Sequence, residues 1–187
     1  LAVHVPIAGL ALLPVLVGLP LFLAPIHIAF LELVIDPACS VVFEAEEARG
    51  DIMDHPPRSI TETLLSTPQV IRSLVYGAFT TAGVFAYYAW ILNFAEPSSA
   101  SPCAFVMLVT ANAVLILATR SAYLNWKDLC SHFTPISIWV LTVTFAALLM
   151  ITTYIPFAEA FKFCPVSAQE WIRSLIYGLL MLPIFLG

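Results

Sequence analysis

Charge is what this sequence has least of. Lys, Arg, Asp and Glu make up 10% of its 187 residues against 61% apolar ones, where an ordinary soluble domain carries roughly 25% charged residues. A water-soluble fold needs a polar surface, and these residues cannot cover one; lipid tails are the solvent the composition calls for. Cysteine is scarce as well. Cys39, Cys103, Cys130 and Cys164 are scattered and form no CxxC, which leaves no cluster with zinc or soft-metal spacing. The seven basic residues gather into no patch, and the net charge is −5, so nucleic acid is not an expected partner.

What is present is a set of long uncharged runs. No Lys, Arg, Asp or Glu occurs in 1–31, 73–95, 97–119 or 129–158, nor after Arg173. A spanning helix needs about 20 mostly apolar residues, because a core roughly 30 Å thick is crossed at about 1.5 Å per residue. Each middle run fits one span. The first serves two, since Gly18, Pro20 and Pro25 interrupt it and the apolar pattern continues past Glu32. The expected fold is all-α, a polytopic transmembrane helical bundle of about six spans near 3–19, 25–45, 70–94, 103–122, 134–156 and 170–187. Barrel strands would alternate in polarity over about 10 residues, and these runs do not. Leu1 is not an initiator Met and no basic region precedes the first span, so a secretory signal is not expected; a fragment starting inside an apolar helix is.

Arg49, Arg58, Arg72, Arg120 and Lys127 fall on one side of this topology, Lys162 and Arg173 on the other. The positive-inside rule places loops 46–72 and 120–133 in the cytoplasm. Cys103 and Cys164 share the opposite side, within reach of a disulfide, although scattered cysteines are more often small apolar packers. Tyr87, Tyr88, Trp90, Tyr123, Trp126, Tyr154 and Trp171 fall near span ends, where aromatic belts sit.

One stretch carries chemistry, Phe30-Leu31-Glu32-Leu33-Val34-Ile35-Asp36-Pro37. An Asp at a helix centre costs about 2.5–3.5 kcal/mol on insertion scales, and such a cost is tolerated where the group lines a polar cavity or binds a cation. Glu32 and Asp36 are four residues apart, hence on one helical face. A hard cation takes several converging oxygens. Pro37 donates no backbone bond and should loosen residues 33–37, freeing carbonyls of the kind that broken transporter helices turn towards ions. Against this, an intramembrane carboxylate can be protonated and bonded to a neighbouring helix with no ligand at all. His4 and His27 read first as packed or interfacial histidines. Thr110 and Asn112 read first as interhelical hydrogen-bond glue, with cation ligation by Asn112 the second reading. Glu44, Glu46 and Glu47 are rim charges.

The run from Pro25-Ile26-His27 to Asp36, followed by Asp51-Ile52-Met53-Asp54-His55-Pro56-Pro57-Arg58, resembles P-type cation-transporting ATPases of the calcium-pump-like group. There it forms the sixth membrane helix and the loop to the seventh, so the six spans would be membrane helices five to ten. The resemblance implies that Asp36 ligates transported cations, that Glu32 stands where calcium pumps often have an Asn ligand, and that His4 stands where a fifth-helix Asn ligand is expected. Ile7 and Ile35 replace a Glu and a Thr of the two-site calcium pump, which implies a single ion. Ca2+ is the first choice of cargo, with Mg2+ or Mn2+ as alternatives. The resemblance also implies Mg-ATP as cofactor of the full-length protein only, because no DKTGT motif or Gly-rich phosphate loop is present here. The implied partners are membrane lipid and the N-terminal membrane helices and cytoplasmic domains of the same polypeptide. An ion-coupled secondary carrier and a non-catalytic membrane subunit are the alternatives; a carrier would show an internal inverted repeat, and the Glu32–Pro37 feature has no counterpart in the second half.

Overall fold

A computed structural model describes residues 2–44, 66–119 and 135–186, with the side chains of residues 35, 36, 38, 39, 42, 43, 119 and 186 outside that description. The described residues form helices and connections with no strand: α1 (His4–Val17), α2 (Pro25–Glu44), α3 (Thr67–Ile91), α4 (Pro97–Thr119), α5 (Pro135–Thr153), α6 (Ile155–Ala160), α7 (Ala168–Leu179) and α8 (Leu182–Leu186). In lipid a backbone must satisfy its polar groups internally, and the apolar composition leaves helices as the solution. Among the described residues, Thr67–Ile91, Pro97–Ala118 and Pro135–Thr153 are long and apolar enough to cross a membrane, and His4–Val17 and Pro25–Val34 are shorter apolar segments.

The helix ends follow local chemistry. At the end of α1, Gly18 takes φ 75°; its N–H bonds the Val15 carbonyl at 3.2 Å, and the Leu19 N–H bonds that of Pro14 at 2.8 Å. This is the left-handed closure that glycine adopts without steric cost. Ser66 opens α3, its N–H donating to Gln69 Oε1 at 2.9 Å. Ser167 opens α7, where its N–H and hydroxyl donate to Glu170 Oε2 and its Oγ accepts from the Glu170 N–H at 3.3 Å, a capping box.

Between α5 and α6 the chain turns at Tyr154. Pro156 cannot donate to the Thr152 carbonyl four residues back; that carbonyl instead accepts the Val166 N–H at 2.9 Å from the returning strand of chain. The proline break thus ties the 161–167 connection to α5.

The core is α4. It is uncharged and apolar on every side, so it is buried by the others: Ala100, Phe105, Val106, Leu108 and Ala111 are inaccessible. α7 packs on it most extensively, and α3, α8, α2 and α5 also touch it, while α1 lies on α3 and α2 on α5. Without a hydrophobic drive between helices in lipid, small residues set the approach. A Cβ on Gly178 would lie 2.6 Å from the Thr110 Cβ, and one on Gly77 2.6 Å from the Val5 Cβ. Hydroxyls inside the spans bond back along their own helices. Thr81, Thr110 and Thr152 donate to Gly77, Val106 and Leu148 carbonyls at 2.8, 2.7 and 2.7 Å.

Candidate cation site

Sequence reasoning named four residues, and α1, α2 and α4 carry them. α2 remains one helix from Pro25 to Glu44 with Pro37 inside it, so the loosening expected at 33–37 does not break the element. Pro37 still removes the N–H that would reach the Leu33 carbonyl. Asp36 lies on α2 one turn from Glu32; its side chain and that of Ile35 lie outside the described residues, as does the 51–58 loop.

Glu32 and His4 meet. His4 Nε2 is 3.7 Å from Glu32 Oε2, with the two side chains 50% and 44% exposed. The contact joins the first turn of α1 to the middle of α2, two helices that otherwise touch little. Glu32 is flanked by Leu33, which is 75% exposed, so this face of α2 is open. A carboxylate and an imidazole held together on an open face can share a proton or turn their lone pairs to a cation.

Asn112 behaves differently. It lies at the centre of α4, wholly buried, and among the described residues neither its Nδ2 nor its Oδ1 has a hydrogen-bond partner. Among the described residues no neighbouring helix bonds Asn112, and the Thr110 hydroxyl closes on its own helix. An unsatisfied buried amide costs about 1–3 kcal/mol. Ile7 is buried among the apolar residues of the core and has no ligand atom to offer. Among the described residues no three His, Cys, Asp or Glu side chains converge as a metal site would require, so Glu32, His4 and Asn112 do not by themselves make a closed cage.

Three further readings meet at the end of the bundle that holds the 92–96 and 154–167 connections. Cys103 and Cys164 are free thiols, one buried and one exposed. Cys164 docks by its backbone N–H on the Ser98 carbonyl at 3.2 Å, five residues before Cys103 on α4, so the disulfide does not form. Tyr87 and Tyr88 are buried clamps rather than belt residues: Tyr87 Oη lies 2.9 Å from Ser174 Oγ, and Tyr88 Oη donates to the Pro20 carbonyl at 3.0 Å. His27 is packed, as expected, but it does more than fill space. Its Nδ1 accepts the Ala24 N–H at 2.9 Å, and its Nε2 donates to the Phe161 carbonyl at 2.7 Å. Phe163 stacks on the ring at 4.3 Å between centroids. This residue pins the start of α2 to the end of α6. Local sequence could not reveal it, because its partner stands 134 positions away.

The family model described as "Cation transporting ATPase, C-terminus" matches residues 20–186. The chain belongs to this family. It is an integral, multi-pass membrane protein, and the P-type cation-transporting ATPases to which it is related move cations across membranes at the expense of Mg-ATP. Within this ATPase region the matched residues include α2 with Glu32 and Asp36 and α4 with Asn112, while His4 precedes the match.

Proposed function

We propose that this chain is the ion-binding and translocation domain of an ATP-driven pump of the calcium-pump-like group, with Ca2+ as preferred cargo and Mg2+ or Mn2+ as weaker ones. The observation that carries the reading is the carboxylate of Glu32 in the middle of a span, 3.7 Å from His4 on a second helix. Asp36, one turn along α2, is the principal oxygen ligand, and Glu32 is the second. Asn112 supplies an amide oxygen from the bundle core, and His4 balances Glu32 when no cation is bound. The Leu33 carbonyl freed by Pro37 is a further neutral oxygen.

The rest of the pump supplies what this stretch lacks. The open face of α2 around Glu32 and Leu33 is a surface for the N-terminal membrane helices of the same polypeptide, whose cytoplasmic domains hydrolyse the ATP, and the exposed Trp139 and Val143 of α5 face lipid. Loops 46–72 and 120–133 face those domains, in accord with their five basic residues against two on the other side. Phosphorylation shifts the equilibrium between two states of different ion affinity, which is what moves the ion.

Asp36→Asn in the full-length protein is expected to abolish cation-dependent phosphorylation from ATP. Normal phosphorylation at the wild-type cation concentration would remove Asp36 from the ligand set. With Ile7 and Ile35 unable to ligate, one divalent ion moves per ATP; a flux ratio of two in sealed vesicles would overturn that stoichiometry.

A further inference from the structure

Away from the candidate site, a cleft of about 340 Å3 opens between α3, α4 and α7, walled by Gly83, Tyr87, Trp90, Met107, Tyr177 and Met181. From Gly83 to Trp90 is seven residues of helix, or about 10 Å along the axis. The cleft is therefore a slot along the membrane normal, apolar towards the middle of α3 and aromatic where α3 ends at Ile91. At that end the Arg173 guanidinium lies over the Trp90 ring, Cζ to centroid 5.6 Å. Its Nε is buried with no hydrogen-bond partner among the described residues, and the guanidinium also interacts with the Tyr87 hydroxyl. The nearest acid along α7, Glu170, is engaged with Ser167, and no carboxylate among the described residues forms a salt bridge with Arg173.

We propose that this slot holds one acyl chain of a membrane phospholipid, with the lipid's phosphodiester at Arg173. The charge at the interfacial end and the apolar run inward match a phospholipid's own order of groups. Arginine forks onto phosphate oxygens, and the Arg173 guanidinium over Trp90 stands at the end of the slot where aromatic residues meet the headgroup layer. Size argues against a whole partner helix inside the slot, since a helix with its side chains is about 10–12 Å across and fills roughly 800 Å3 over this length. The two methionines give the wall an adaptable lining. Gly83 keeps the slot open: a Cβ there would collide with the Met181 methyl and push it inward.

The test uses the full-length protein in vesicles of phosphatidylcholine containing a phosphatidylcholine with a photoreactive diazirine halfway along one acyl chain. After illumination, peptides carrying Met107 and Tyr177–Met181 should be labelled at least fivefold more than the α5 peptide with Trp139 and Val143, which faces bulk lipid. Arg173→Gln should lower slot labelling at least fivefold and Gly83→Leu should abolish it, with α5 labelling unchanged in both as the check that each variant is folded. If Arg173→Gln fails that check, Arg173→Lys serves, with a twofold or greater loss expected because the fork is gone. Slot labelling equal to that of α5, or insensitive to both positions, means bulk lipid only and overturns the proposal. A photoreactive residue at Tyr177 that crosslinks to another polypeptide rather than to lipid overturns it in favour of a partner span.

Discussion

The two ends of α2 treat polar groups in opposite ways. At its start, His27 has both ring nitrogens engaged and an aromatic ring stacked on it, and nearby the Thr152 carbonyl orphaned by Pro156 is met by Val166. Half a span deeper, Glu32 has a neighbour at 3.7 Å on a half-exposed face, and across the bundle Asn112 has no partner among the described residues at either amide atom. Burying a polar group unpaired is costly, so the first region is built to stay closed. The second leaves polar atoms open at a depth where water is scarce. Under the proposed function, that contrast is the one expected between scaffold and ion site.

Substitutions at each region should break or sharpen the contrast. The largest effect is expected from His27→Ala, which leaves the Ala24 N–H and Phe161 carbonyl without partners and a ring-sized void beside Phe163. It should cost roughly 3–5 kcal/mol, seen as a lower unfolding temperature in detergent, with cation affinity of the surviving folded fraction unchanged; a selective loss of affinity at normal stability would erase the division. Asn112→Leu should act in the reverse sense. It removes an unsatisfied amide, so stability should rise by about 1–3 kcal/mol while the cation concentration needed for half-maximal phosphorylation increases at least tenfold. A fall in both stability and affinity would mean that Asn112 is scaffold. The smallest effect belongs to Lys162, which closes α6 with φ 57°, its neighbour Phe163 donating to the Ala158 carbonyl at 2.8 Å. A left-handed position costs a non-glycine residue about 1 kcal/mol, so Lys162→Gly should raise stability by up to that amount without changing transport.

Much of the molecule was legible because hydrophobic length is a local property. The uncharged runs around α3, α4 and α5 declare themselves without any partner, and Glu32 and Asp36 stand out because acids are expensive there. The pairings were not legible. Tyr87 and Tyr88 look like belt residues by position, and only the approach of Ser174 and Pro20 makes them clamps. Thr110 looked like glue between helices, but its hydroxyl donates to the Val106 carbonyl of its own helix at 2.7 Å. The disulfide was plausible from sidedness, yet Cys103 faces the core of α4 while Cys164 stays exposed.

The amino-acid order by itself determined that this chain lives in lipid, that its elements are helices, and that two acids lie one turn apart before Pro37, because transfer energy and helical spacing act residue by residue. Tertiary structure alone decided that His4 stands beside Glu32, that Asn112 lacks a partner among the described residues and that His27 holds α2 to α6. Those depend on which helix faces which, and in lipid that is settled by packing of small residues and the distant matching of polar atoms, which no local pattern encodes.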